Sequence, residues 1–416
     1  MNFFKKSIKL QSAQLFMLAM LIVNVGNYLY NLLLGRFLGP EAFADAALLI
    51  TLLLVLSFIG MTFQIVVTKY VVEVQADLKI IFVKKAFFWA FFLGTLLGLV
   101  IFFSSQELHL MLKTSSPLVF KWLAIGIPFY FLMSINRGVF QGEQNMHYLG
   151  FTYFTEMLTR LIITFALLYF AAVYHASLAV AVAIFISFLV GLFPINKVFF
   201  RLKNTVDLTL PHKQILKFFL LTAFYEFTLI IINNSDILLV KSYFNNFEAG
   251  LYSSLALIGR VVYFVTWMFV MILLPKVIEA AKNGENTKPI LFKNLIMIAG
   301  LSCAIVFGAF LFPEFAVKVL FGDAFIEISP LLWKYALATA FFALANLFAY
   351  YFLSLNKYFP VMLSAIFGML QIFLIVKFHQ TLHQVVMMQI IAMSALLISQ
   401  IIYFLYNSYN FSEIRN

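Results

Sequence analysis

Twelve apolar runs, each about as long as the ~20 helical residues that cross a ~30 Å hydrocarbon core, account for most of this chain. They lie near residues 11–34, 44–67, 86–106, 117–138, 149–173 and 177–199, and again near 214–240, 249–274, 290–312, 330–353, 358–377 and 384–407. A backbone that has left water must satisfy its own N–H and C=O groups, so runs of this kind are helices. Hydrophobic residues are 64% of the 416 and charged residues 11%, a balance foreign to soluble globular domains. The expected fold class is an all-α polytopic membrane protein with about twelve transmembrane helices.

The net charge of +11 would suit a nucleic-acid partner, but its placement excludes one. Lys5, Lys6, Lys9, Lys84, Lys85, Arg201, Lys203 and Lys288 share one side of the membrane with most of the other basic residues. Only Arg36, Lys113, Lys121, Lys241, Lys318, Lys334 and Lys377 fall on the other. The positive side is cytoplasmic, which places both termini there. The basic start "MNFFKKSIK" precedes a run too long for a cleavable signal, with no small-x-small site after it, so it opens the first helix. Cys303 stands alone inside the ninth run, which rules out an intramolecular disulfide and a cysteine metal cluster.

The longest polar stretch, "KVFFRLKNTVDLTLPHKQILK", divides the chain almost in half. It predicts an N-lobe of helices 1–6 over residues 1–203, a cytoplasmic linker over 204–213, and a C-lobe of helices 7–12 with a short tail over 214–416. Laying Asn27 on Asn234 also aligns Leu32 with Leu239, Phe37 with Phe244, Glu41 with Glu248, Ala42 with Ala249 and Leu48 with Leu255. The matched Asn and Glu carry the weight, because polar residues are scarce here. An even number of helices per half makes this a parallel repeat, with a polar cavity expected between two similar bundles.

The first hairpin, "LGRFLGPEAFADAALL", is explained largely by local chemistry. Gly39 and Pro40 end one helix and start the next, and Glu41 and Asp45 fall where the helix dipole favours acids. Arg36 is not required by the turn and reads as an interface anchor or as a cation facing the cavity. Ionisable residues inside spans cost roughly 2.5 to 3.5 kcal/mol each. Arg260 snorkels, pairs with Glu226 or Asp236, or faces the cavity. Glu156 and Arg160, four apart on one helix, form a structural pair. Asn24, Asn27 and Asn31 make one polar stripe, and Thr222, Glu226 and Asn233 make another, suited to lining the cleft. Pro128, Pro194, Pro275 and Pro360 permit kinks. No phosphate-binding loop, H-E-x-x-H or G-x-S-x-G occurs, and His379 and His383 lack a nearby carboxylate, so no metal site is expected.

With those residues in view, "YLYNLLLGRFLGPEAFADAALL" resembles the opening signature of the polysaccharide transporter (oligosaccharide flippase) family. That family lies within the multidrug/oligosaccharidyl-lipid/polysaccharide (MOP) exporter superfamily. "DILLVKSYFNNFEAGLYSSLALIGRV" resembles its seventh-to-eighth helix signature, "MILLPKVIEA" its Pro-containing end of the eighth helix, and "VFQGEQNMHYLGFTYFTEMLTRLIITFALLYF" its fourth-to-fifth helix passage. The resemblance implies two six-helix lobes arranged as a V. It also implies a bacterial inner-membrane flippase that moves a polyprenyl diphosphate-linked oligosaccharide, an O-antigen, capsule or exopolysaccharide unit, to the outer leaflet by alternating access. Arg36 and Arg260 match positions where relatives place diphosphate-binding cations. An Arg fork fits phosphate oxygens. The resemblance further implies a monomer working beside other polysaccharide assembly proteins, with no cofactor and with energy from the membrane potential, H⁺ or Na⁺. Glu226 and Asp236 are the acids available for ion coupling. The alternative is a cation-coupled multidrug and toxin extruder (MATE). The first helix carries asparagines where such pumps carry an acid, which counts against that reading, and Glu226 favours it. A membrane glycosyltransferase would need a larger outer loop than "FPEFAVKVLFGDAFIEIS".

Overall fold

A helix of 62 residues would be roughly 93 Å long at 1.5 Å per residue, three times the hydrocarbon thickness, so the first helical element has to break. In the computed structural model α1 (Ser12–Glu73) does so at Gly39, whose φ of 70° and ψ of 172° lie outside the helical region. Glycine takes that conformation without a Cβ clash, and Pro40 starts the second segment with no N–H to leave unpaired. Two membrane-length segments therefore stand where the sequence places its first two spans. The structure describes residues 12–413 apart from 74–75, 171–175, 201–211, 264–272, 274–275, 278–279, 282 and 356. Most of the expected linker and Pro275 lie outside the described residues.

The remaining helices are α2 (Ala76–Phe103), α3 (Ser105–Leu112), α4 (Leu118–Gly142), α5 (Met146–Phe170), α6 (Ala176–Gly191), α7 (His212–Tyr243) and α8 (Asn246–Gly259). They are followed by α9 (Lys288–Leu311), α10 (Pro313–Leu320), α11 (Leu332–Ser354), α12 (Phe359–Lys377) and α13 (Leu382–Glu413). No strand occurs among the described residues. Among the described residues, nine helices are long and apolar enough to cross a membrane, with both segments of α1 counted as one. α6 is shorter than its apolar run because it stops at Gly191, ahead of Pro194. Large side chains such as Phe88, Trp89, Phe92 and Phe103 on α2, and Leu216, Leu220 and Phe224 on α7, are exposed, as a lipid-facing surface requires.

The duplication read from the first hairpin recurs in the order of elements. A long helix, a short one and another long one run α2, α3, α4 in the first half and α9, α10, α11 in the second. Each short helix ends in a turn containing a positive φ, at Lys113 (49°) and at Gly322 (97°).

Two compact units are present, and they do not follow the halves of the sequence. The first combines the chain up to Leu34 with Leu52–Glu226; the second combines Gly35–Thr51 with Phe227 onward. In the first, Phe63, Val67 and Tyr70 of α1 pack with Phe82 and Val83 of α2 and with Phe131 and Ile135 of α4, and Phe218 and Phe219 of α7 join them. In the second, Leu291, Leu347, Phe348, Phe352 and Phe404 form a core among α9, α11 and α13. Lipid offers no hydrophobic gain, so these contacts hold by close packing.

The hairpin joins the second unit through its own packing. Phe43 stacks against Phe321 at 5.6 Å and Phe325 at 6.1 Å between ring centres. Gly250, in the repeated copy of the hairpin, lies so close to Pro40 that a Cβ there would run into the Pro40 carbonyl. Gly250→Ala must push Pro40 away and is expected to lower stability by about 1–3 kcal/mol. A thermal melt of the purified protein measures this. Gly300→Ala, at a helical glycine with open space around it, is the control. Equal melting temperatures for the two variants would refute the close fit.

Candidate functional site

Among the described residues, the buried charges gather into three centres. The deepest in the second unit is Asp236 of α7. Its Oδ1 accepts from Arg260 Nη2 at 2.9 Å, while its Oδ2 accepts from the hydroxyls of Tyr335 (2.8 Å) and Tyr252 (3.1 Å). Arg260, just past the end of α8, also donates from Nε to the Tyr335 hydroxyl at 3.1 Å, and Nη1 lies 3.5 Å from Asn234 Oδ1. All are buried, so the guanidinium and carboxylate neutralise each other where water cannot. Beside them a small pocket is lined by Asn233, Arg260, Thr339, Gln371 and Gln389.

The second centre ties the first hairpin to α7. Lys241 Nζ lies 2.7 Å from Asp45 Oδ1, and both side chains are buried. The same ammonium donates to Asn246 Oδ1. Lys241, one of the basic residues that the charge asymmetry puts on the outer side, is only 1% exposed. Asp45 therefore does more than favour a helix N-terminus. Arg36 stands nearby on the exposed surface, where Nη2 donates to the carbonyls of Lys318 (3.2 Å) and Val319 (2.5 Å). These belong to the last turn of α10, where a cation interacts favourably with the C-terminal carbonyls.

The third centre lies in the first unit. Glu156 on α5 accepts at Oε2 from Arg137 Nη2 of α4 at 2.8 Å, and its Oε1 lies 3.8 Å from Arg160 Nη1. Arg137 donates further to the Thr152 hydroxyl (3.1 Å) and carbonyl (2.9 Å), and stacks over Tyr153 at 3.8 Å. Arg160 Nη2 donates to Asn27 Oδ1 of α1 at 2.5 Å and faces the Tyr30 ring. The structural pair expected from spacing is thus a triad, and its tighter ion pair is the one to Arg137. Position at the end of the fourth run makes Arg137 read as an interface residue. Its partners lie on another helix, beyond the reach of any i, i+4 rule.

The other expected site residues fall as follows. Asn24 is exposed, and Asn31 donates back to the Asn27 carbonyl at 2.8 Å. Thr222 and Glu226 are half-buried, and no described residue pairs with Glu226. Asn233 donates to the Leu229 carbonyl at 2.8 Å and faces the pocket beside Arg260. Arg36 and Arg260 are engaged by different partners rather than one site. His379 stacks on Tyr243 and His383 lies 2.7 Å from Lys334; no metal-ligating cluster occurs among the described residues.

The model of a family described as polysaccharide biosynthesis protein matches residues 33–330, well over half the chain. The chain belongs to that polysaccharide biosynthesis protein family. Among curated relatives, an uncharacterized membrane protein of Methanocaldococcus jannaschii is 25% identical over 204 residues. That stretch is 46% of this chain and 48% of the relative, so the match spans about half the relative's length. Among solved structures, the lipid II flippase MurJ in an inward closed conformation aligns at TM-score 0.75 and 17% identity, over 95% of this chain and 87% of that one. An inward-facing multidrug resistance MATE family transporter of the MOP superfamily aligns at 0.73 and 13%, over 96% and 99%. A Pyrococcus furiosus MOP superfamily transporter, described as having a binding pocket of reverse polarity, aligns at 0.63 and 14%, over 96% and 94%. The polysaccharide biosynthesis protein therefore has the MOP transporter fold, and the expected fold class and family hold.

In this family member Asp236→Asn would leave Arg260 as an uncompensated buried cation. The expected loss is about 3–5 kcal/mol, and Asp236→Asn combined with Arg260→Gln recovers much of it. Melting temperatures of the single and double variants check this. A double variant no more stable than Asp236→Asn alone would contradict the pairing.

Proposed function

We propose that this polysaccharide biosynthesis protein is a flippase that carries a polyprenyl diphosphate-linked oligosaccharide from the inner to the outer leaflet of the cytoplasmic membrane. The observation that carries this reading is the family match over residues 33–330, and the charge balance of the buried centres supports it. The first unit holds two guanidiniums against one carboxylate, a surplus suited to anionic cargo. In the second unit Asp236 is already engaged by Arg260 and two tyrosines. An acid so occupied is a poor site for exchange of H⁺ or Na⁺. Outward movement of an anion is favoured by an inside-negative potential, about 2.3 kcal/mol per charge per 100 mV. Alternating access between the two repeats, with both termini cytoplasmic, completes the proposal; transport rather than bond-making chemistry is the activity.

One observation favours a second reading, a cation-coupled multidrug exporter. Glu226 is a half-buried acid with no partner among the described residues, as a coupling site would need. Reconstitution decides between them. Liposomes containing the protein are expected to move a fluorescent polyprenyl diphosphate-linked oligosaccharide between leaflets, and Glu226→Gln is expected to retain at least half of that rate. Absence of flipping, together with proton- or sodium-driven efflux of an organic cation that Glu226→Gln abolishes, would replace the flippase reading with the exporter.

A further inference from the structure

The same repeated asparagine meets an arginine in each unit, but the two arginines end in opposite electrostatic states. Asn234 lies beside Arg260, and Asp236, two residues further along α7, neutralises that guanidinium. Asn27, aligned with Asn234 in the duplication, accepts from Arg160. The position aligned with Asp236 is Leu29, which carries no charge. Glu156 does not make up the difference. Its close bond goes to Arg137 at 2.8 Å, and Arg160 is left at 3.8 Å, beyond hydrogen-bond length.

Arg160 is 8% exposed. Of its donors only Nη2 has a hydrogen-bond acceptor among the described residues; Nε and Nη1 have none, and neither is sealed from contact. Two positive charges against one negative, inside a helical bundle in a membrane, leave a surplus that costs several kcal/mol unless an anion answers it. Nη2 carries two hydrogens, and the one not given to Asn27 can act together with Nε or Nη1 as a two-point fork for two oxygens of one oxyanion. The Tyr30 ring, 5.6 Å from Arg160 Cζ, with its hydroxyl bonded to Thr164 at 2.9 Å, fixes one wall.

We infer that Arg160, positioned by Asn27 and Glu156, is an oxyanion-binding residue of the first unit and takes the diphosphate of the lipid-linked substrate. This rests on the flippase reading and moves its anion clamp away from Arg260 and Arg36, both committed to partners within the protein. Glu156 is a positioning residue: it holds Arg137 and Arg160 together without neutralising both.

The full-length protein in lipid nanodiscs is titrated with farnesyl diphosphate, inorganic pyrophosphate and chloride. Wild type is expected to bind the prenyl diphosphate. Arg160→Gln should weaken that binding at least tenfold with an unchanged melting temperature, and Arg160→Lys, which keeps the charge but loses the fork, should weaken it several-fold. Arg260→Gln should lower the melting temperature without a comparable selective loss of affinity. A folded Arg160→Gln that binds as tightly as wild type overturns the inference. If Arg160→Gln cannot be purified, unchanged affinity in Arg160→Lys overturns it equally. Failure of the flippase reading looks different: the prenyl diphosphate does not bind at all, while pyrophosphate, but not chloride alone, still binds in an Arg160-dependent way. In that outcome the oxyanion site stands and the lipid-linked substrate falls.

Discussion

Inside hydrocarbon a charge without a counter-charge is more costly than almost any packing defect, and that constraint arranges the interior of this protein. Asp236 collects three donors from two helices: Arg260 at the end of α8 and Tyr252 within it, and Tyr335 of α11. The carboxylate thereby fixes how these helices meet within the second unit. Asp45 and Lys241 do the same for the first hairpin, drawing Gly35–Thr51 into a unit otherwise built from the second half of the chain. The apolar contacts of Phe43 with Phe321 and Phe325 follow the same attachment. Small residues permit the approach, since only a glycine at position 250 leaves room for the Pro40 carbonyl.

The fold is legible in the sequence because the bilayer simplifies the problem. Length of apolar run and two short turn signals place most of the long helices within a few residues, but α2 starts well ahead of its run and the short α3 and α10 are not read at all. Gly39 and Pro40 break α1 where the hairpin chemistry puts the break. Misplaced boundaries have local causes, as at α6, where Pro194 shortens the helix although the hydrophobicity continues. The sequence divides the chain at its polar linker, whereas the compact units divide it at Glu226, inside α7, and the second unit possesses Gly35–Thr51. That possession depends on an ion pair and a glycine contact between residues some two hundred positions apart, for which one sequence offers no periodicity.

The polar centres were legible in part for the same reason. Glu156 and Arg160 share a helix face, so their proximity follows from arithmetic. The sequence offers both Asp236 and Glu226 as partners for Arg260, and only three-dimensional packing distinguishes them. Arg137 escaped because it lies at the end of an apolar run, where a basic residue ordinarily marks the water interface. The structure instead turns it inward onto Thr152 and Glu156. Its arrival changes the meaning of the whole cluster, since a neutral pair becomes a centre with one positive charge in excess.

Fold and cargo are consequently set by different parts of the sequence. The MOP architecture tolerates wide sequence change, since solved structures sharing less than a fifth of their residues with this chain adopt it. The sign of the charge left over in the interior is decided by a handful of positions. Here an acid at position 236 cancels one arginine, and a leucine at the aligned position 29 leaves the other to be answered from outside the protein. Duplication supplies two similar frames with an asparagine at the same place. Divergence at a single neighbouring position is enough to make one frame a closed structural joint and the other an open cation, which is why the two units of one protein need not share a role.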